Sequence, residues 1–419
     1  MLRQSLALAL ATAAAAQTFI VDVNNGAGTH YQQITAAVAA VPDGATLRVR
    51  AGTYAPFAIV GKSLTILGDN VNVQSFEVAS IAAAQRVVVD GITFQITLRV
   101  TGNTGQVHVS RSVGMSSIFP SSITITGSTN VHLHGIRIPL PASMPISVTP
   151  LTILDSCVEM VNCSVAAGRP SWTSLGTNLP LPAMAVERSR VALFGTSLTG
   201  GDGPTDFYNN FQIGGPGLTA AQSRVDLGPG CVVVGGIGGI DPTGFGGCVN
   251  IMREGGPGLR LLNSSAYTAT GRSSVRGGNG PCLCPAPCTI TGPATQLVGN
   301  STVIGVSAAP QASSVGQAAP GGTLNLSVVS QPQDIALLMI GFSATCADLP
   351  FLIDFGGILA SPDLPFGVFV TDSAGRASYT LPLPGDFQLD RMMWAQWFTF
   401  TGAVLPGKGS STLPFVARS

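Results

Sequence analysis

Residues 23–70 read VNNGAGTHYQQITAAVAAVPDGATLRVRAGTYAPFAIVGKSLTILGDN, and this stretch decides the fold. Its first part predicts one short helix over 29–41. Thr29 can cap it, Gln32 closes a capping box, and Ile34, Ala37, Val38 and Val41 form the apolar stripe. Pro42 and Gly44 stop the helix. A strand follows at 46–49, then a sharp corner at Gly52-Thr53-Tyr54, then a second strand at 63–67 that ends in Gly68-Asp69.

Cap helix, Pro42-Asp43-Gly44, strand, Gly52-Thr53-Tyr54, and a strand closed by Gly68-Asp69 come in a telling order. The order resembles the N-terminal cap and first coil of right-handed parallel β-helix proteins of the pectin-esterase and pectate-lyase type. The resemblance covers about 45 residues and implies an architecture, because cap and coil are packing features that many activities share.

Working outward from the cap, short apolar groups recur. They are centred on Leu64-Thr-Ile66, Val87-Val-Val89, Val107-His-Val109, Val131-His-Leu133, Val158-Glu-Met160, Val191-Ala-Leu193, Val225-Asp-Leu227 and Leu259-Arg-Leu261. Successive groups end 23, 20, 24, 27, 33, 34 and 34 residues apart. One strand motif per period of this size marks a solenoid, whose coils each expose an apolar face that only the neighbouring coil can cover. A leucine-rich repeat would need a recurrent Asn and a helix per repeat, and a propeller would need four strands per blade. The chain has neither pattern.

From 200 to 280 the composition turns to glycine, and GGPGL occurs at both 214–218 and 255–259. These runs predict wide loops on one side of the later coils. Residues 306–322 read as a linker, and 323–419 hold seven short alternating runs, which predict an antiparallel β-sandwich. Trp394 and Trp397 stand three apart in one run and so point to opposite faces. This tail resembles the C-terminal β-domains appended to many exported bacterial proteins. The expected organisation is a signal peptide at 1–16, a right-handed parallel β-helix at 17–305, the linker, and the sandwich.

Arg3, the apolar run 6–16 and Ala14-Ala15-Ala16 form that signal, which predicts a secreted, surface or periplasmic protein. Of the 419 residues only 10% are charged, and the net charge is zero. Such a surface lacks the electrostatic footprint for nucleic acid, and no later run is long enough to span a membrane. A single copy of the chain is expected. Export permits disulfides, and Cys157–Cys163 and Cys231–Cys248 suggest themselves as local bridges. Cys282, Cys284 and Cys288 resemble a metal loop, but no His follows residue 134 and prolines flank them, so disulfide use is the expectation there too.

The chemistry is thinner. A pectin esterase would add a Gln turn, an Asp in DFIFG and an Arg in GRPW, in that order. Here Gly168-Arg169-Pro170-Ser171-Trp172 precedes Thr205-Asp206-Phe207, the reverse order and with an extra Ser. No adjacent Asp pair offers galacturonase chemistry. The lyase likeness implies Ca²⁺ on carboxylates with an Arg or Lys base. The candidates are Asp202 and Asp206, with Tyr208-Asn209-Asn210 beside them, and Arg253 and Glu254 about a coil and a half later. Ca²⁺ has no clear ligand cluster, and no cofactor is expected. His108, His132 and His134 are a separate group. The coil spacing stacks His108 on His132, which would suit a metal or simply place both in solvent. The leading expectation is an exported scaffold that binds, with polysaccharide or a cell-surface component as partner. The alternative is a polysaccharide lyase or hydrolase using those four residues.

Overall fold

The computed structural model describes residues 17–115, 121–139, 148–168, 180–203, 213–239, 254–280, 291–306, 310–316, 321–341, 344–346, 358–360, 364–383, 392–401, 408–410 and 413–416. Nearly all of this is β structure. Twenty-five strands from Thr18–Val21 to Thr302–Val306 form one connected set of parallel pairings. Three or four short antiparallel sheets would not give this pattern; a right-handed parallel β-helix does.

Each coil contributes to three sheets. One coil, for example, runs Cys157–Val161, Ser164–Ala166, then Met184–Glu187. The next coil lays Arg190–Phe194, Ser197–Thr199 and Leu218–Ala221 on those three strands in turn. Seven of the eight apolar centres of the sequence ladder fall in register in the first sheet, where Leu64, Val87, Val107, Val131, Val158, Val191 and Val225 stack as one inward column. The eighth, Leu259-Arg-Leu261, lies in the third sheet instead, and Ala266 continues the column. All seven stacked residues are buried in one continuous core that reaches from Val21 to Ala266. The long core follows from the period, since each coil covers the apolar face of the one before it.

The cap forms as the sequence implies, with one change. The helix is Ile34–Ala40, shorter than 29–41, and its N-cap is Gln33 without a side-chain cap bond. Thr29 instead donates from its hydroxyl to Gly26 O, 2.6 Å away, which ties down the preceding turn. The helix end is held from a distance, because Lys62 Nζ donates to the carbonyls of Val38 and Val41 at 2.8 and 2.7 Å. A cation there also meets the negative end of the helix dipole. The Gly52-Thr53-Tyr54 corner turns Tyr54 inward, and its hydroxyl donates to Arg50 O at 2.8 Å. A Cβ on Gly52 would strike the Val23 side chain, so only glycine fits this corner.

A second regular feature was not read from the sequence. Where the third sheet turns back into the first, Ser128, Ser156, Ser189, Ser223 and Ser264 stack on one another. Each hydroxyl oxygen from Ser156 onward accepts the backbone N–H of the serine one coil before, at 3.0–3.1 Å. The same hydroxyls donate to carbonyls two residues back in their own chain, at Leu154, Glu187, Ala221 and Leu262. Serine therefore satisfies buried backbone groups that the turn would otherwise orphan.

After the β-helix come antiparallel strands. Gln311–Gly316, Thr323–Val329 and Arg376–Pro382 make one sheet, so part of the expected linker is an edge strand. Leu364–Val370, Ile335–Gly341, Met392–Phe400 and two short strands, Lys408–Gly409 and Leu413–Val416, make another. Leu324, Leu326, Val328, Ala336, Leu338, Ile340 and Trp397 pack between the two sheets as one core, which is a sandwich. The expected strand at 351–355 lies outside the described residues.

Candidate functional site

Two places on the β-helix gather polar groups. The first is an outward column of the first sheet. Parallel register aligns Val88, His108, His132, Glu159, Ala192, Asp226 and Tyr267, one per coil. The stacking of His108 on His132 holds, with ring centroids 6.5 Å apart. Their environment differs from both sequence readings. Instead of facing solvent or a metal, they lie under Trp394 of the C-terminal sheet, 4.1 Å from His132 and 5.3 Å from His108 between centroids. His108, His132 and Glu159 are each 2% exposed, and Trp394 and Asp226 are 0% exposed.

The buried charges in the column are paired internally. His132 Nδ1 donates to Glu159 Oε2 at 3.2 Å, and its Nε2 lies 3.0 Å from Asn130 Oδ1. Arg224 Nε donates to Asp226 Oδ1 at 3.0 Å while its guanidinium sits 4.3 Å from the Tyr267 ring centroid. Burying charges is tolerable only with such partners. His108 has none on Nδ1. Burial pushes its pKa well below the ordinary histidine value, and neighbouring His132, His134 and Arg86 push the same way. Among the described residues no group of three His, Cys, Asp or Glu is arranged to hold a metal ion.

The second place is the edge where the second sheet passes to the third. Its connections, 115–121, 139–150, 167–183, 200–217, 235–258 and 277–294, all leave from this one edge, and they lengthen along most of the solenoid. Asp202 stands on the outgoing leg of one connection, where its Oδ1 accepts Ile237 N at 3.0 Å from the outgoing leg of the next. Glu254 is exposed on a return leg, and its backbone carbonyl accepts Gly214 N at 3.2 Å. Asp202 and Glu254 thus stand on legs of the same edge, with the legs of Gly215 and Gly236 between theirs in the order of the ladder. Asp206 and Arg253 lie outside the described residues, as do Cys248, Cys282, Cys284 and Cys288.

The glycine runs are the feet of these loops. A hydrogen-bonded ladder crosses from leg to leg: Gly201 N to Leu181 O, Gly215 N to Gly201 O, then Gly236 to Gly215, Gly256 to Gly236, Gly278 to Gly256 and Gly292 to Gly278, at 2.6–3.0 Å. Outgoing and return legs alternate along it. The legs lie so close that a Cβ on Gly235 would collide with Gly256 O, and one on Gly278 with Gly236 O. Both GGPGL copies are return legs, and Leu218 pairs with Leu259 in the third sheet. The duplicated pentapeptide was the visible signal, and its meaning is close backbone packing.

The two cysteine bridges proposed from spacing do not form as drawn. Cys163 and Cys231 are free and buried at an inward corner of the coils. Burial pushes both thiols up to about 12, so neither is a nucleophile at neutral pH. Cys157, on an outward column at the start of the strand that leads to the Cys163 corner, has a partner outside the described side chains.

No helix among the described residues is long and apolar enough to cross a membrane. No family model matches the chain, and no curated protein matches it. Among solved structures it is similar to pectate lyase Pel9A, with 14% identity, a TM-score of 0.26, and coverage of 69% of this chain and 78% of that one. The parallel β-helix of this chain rests on its own strand pairings.

Proposed function

We propose that the protein is an exported scaffold that uses its loop edge as a binding surface, with polysaccharide as the partner class. The observation that carries this reading is the glycine ladder. Six loops leave one edge of a rigid solenoid, and the feet of the last four are locked together by backbone hydrogen bonds. Loops positioned by a rigid frame are the usual carriers of recognition. In the first-sheet column, by contrast, His108, His132, Glu159 and Asp226 are buried, with Trp394 over the two histidines. The test is a pull-down of the full mature chain on insoluble polysaccharides, alongside a variant with 240–253 replaced by a short Gly-Ser linker. Retention of the wild type and loss of retention in the variant support the proposal. Equal retention of both, or of neither, overturns it.

A second reading draws on the placement of Asp202 and Glu254 along the same loop edge. It is a lyase in which these carboxylates and Asp206 hold Ca²⁺ and Arg253 takes the proton. Release of unsaturated oligosaccharides from an acidic polysaccharide, abolished by chelator and by Asp202→Asn, would establish it.

A further inference from the structure

We propose that the protein pairs with a second copy of itself through the last coil of the β-helix. The two ends of the solenoid are finished differently. The first coil is closed by the helix Ile34–Ala40, whose Ile34, Ala37 and Val38 seal the core. At the other end, the closing rungs Ser274–Arg276, Thr295–Val298 and Thr302–Val306 each pair on one side only, with Val232–Val234, Leu259–Leu262 and Ser265–Ala269. Among the described residues no strand pairs with their other side.

This end also exposes what the rest of the solenoid hides. Leu297 stacks on Leu261 and Val303 on Ala266, both wholly buried, yet Leu297 is 50% and Val303 39% exposed. Val298 and Ile304 beside them are 42% and 43% exposed. Natural edges are blunted with Lys, Pro or inward-pointing charge. Here the strands 295–298 and 302–306 contain none of these, and no Asp, Glu, Lys or Arg occurs between Arg276 and Asp334.

The absence of charge selects the occupant. A charged partner would be desolvated with nothing to answer it. A surface meeting its own image repels nothing, because there is no like charge to oppose. The geometry fits too. A two-fold axis across the solenoid axis, passing just outside Thr302–Val306 at the level of Ile304, reverses that strand and sets it antiparallel to its copy. The same rotation sets Thr295–Val298 against the partner's second-sheet rung, where Arg276, the one charge at the border, meets an uncharged strand. Such an isologous contact closes at two copies. The helix at the opposite end keeps the pair from growing into a fibre. Two loop edges on one particle would also bind a polymer bivalently.

The test is the solution mass of the full mature chain, by light scattering across about two decades of micromolar concentration. A mass of twice the chain is expected. Val298→Lys and Ile304→Lys place a charge on outward, exposed positions and should return the mass to that of one chain, with the circular-dichroism melt unchanged. Ile304→Cys should give a covalent dimer on oxidation, because the axis sets this residue against itself. A single-chain mass throughout overturns the proposal. So does a dimer that survives both Lys variants and gives no Ile304→Cys cross-link, or a mass that keeps growing with concentration.

Discussion

His108 shows how a residue's chemistry is set by what lies over it. Its pKa is depressed by burial, so the folded state binds fewer protons at this site than the unfolded chain does. Stability therefore rises with pH across this window and is lost as pH falls through the free-histidine value of 6.5. His134, also depressed mainly by burial, adds to the loss in the same direction. The groups facing His108 are His132, His134, Arg86 and the Trp394 indole. Thermal melts between pH 8 and about pH 5 should show a falling midpoint, with a shallower fall in His108→Gln. An equal slope in both proteins would mean that another group is titrating. The free thiols make a second residue-scale prediction. Cys163 and Cys231, held near 12, should stay unalkylated when the native protein is treated with iodoacetamide at pH 8, and should react after denaturation, as read by peptide mapping.

At the scale of elements, the serine and glycine ladders hold the turns and the loop feet. Ser189 accepts Ser156 N and donates to Glu187 O, so Ser189→Ala strands a buried N–H and a carbonyl. A loss of about 1–3 kcal/mol is expected from chemical denaturation. Gly256→Ala forces a methyl group against the carbonyls of Gly214 and Gly215, and a loss of about 1–3 kcal/mol is expected. Hydrogen exchange adds a sharper readout. The amides of Gly236, Gly256 and Gly278 should lose protection together, since they are consecutive rungs of one ladder. If only Gly256 changes, the ladder is not a cooperative unit.

For the whole molecule, the main fact is that the sandwich covers a polar face of the solenoid instead of trailing from it. Trp394 meets His108 and His132, and Arg272 Nη1 donates to Val329 O at 3.3 Å. Trp394→Ala removes the lid from a buried imidazole–carboxylate pair, with an expected cost of about 3–5 kcal/mol. The same change should make His108 and His132 reactive toward diethyl pyrocarbonate in the native protein. Slow modification in both wild type and variant would show that the column has other cover.

What the sequence by itself determined is the solenoid. The apolar triplets recur at coil-sized steps, and a strand whose inward residues repeat has nowhere to bury them except on the next coil, so Val87 through Val225 stack as their spacing requires. The helix, Pro42-Asp43-Gly44 and Gly52-Thr53-Tyr54 were legible for the same reason, because caps and corners are local. Legibility stopped where partners come from far along the chain. Alternation along 131–134 marks His132 as outward, but only the folded chain brings Trp394 over it and converts an outward residue into a buried one. Pairing of Cys157 with Cys163 looked natural from six residues of spacing, yet alternation at the corner turns Cys163 into the core. The glycine runs announced loops, and only tertiary structure made them a ladder, since each of its bonds joins legs of different coils or opposite sides of one loop. Period and local turn chemistry set the frame; contacts between distant segments decided which of its faces are closed and how the loop feet are joined.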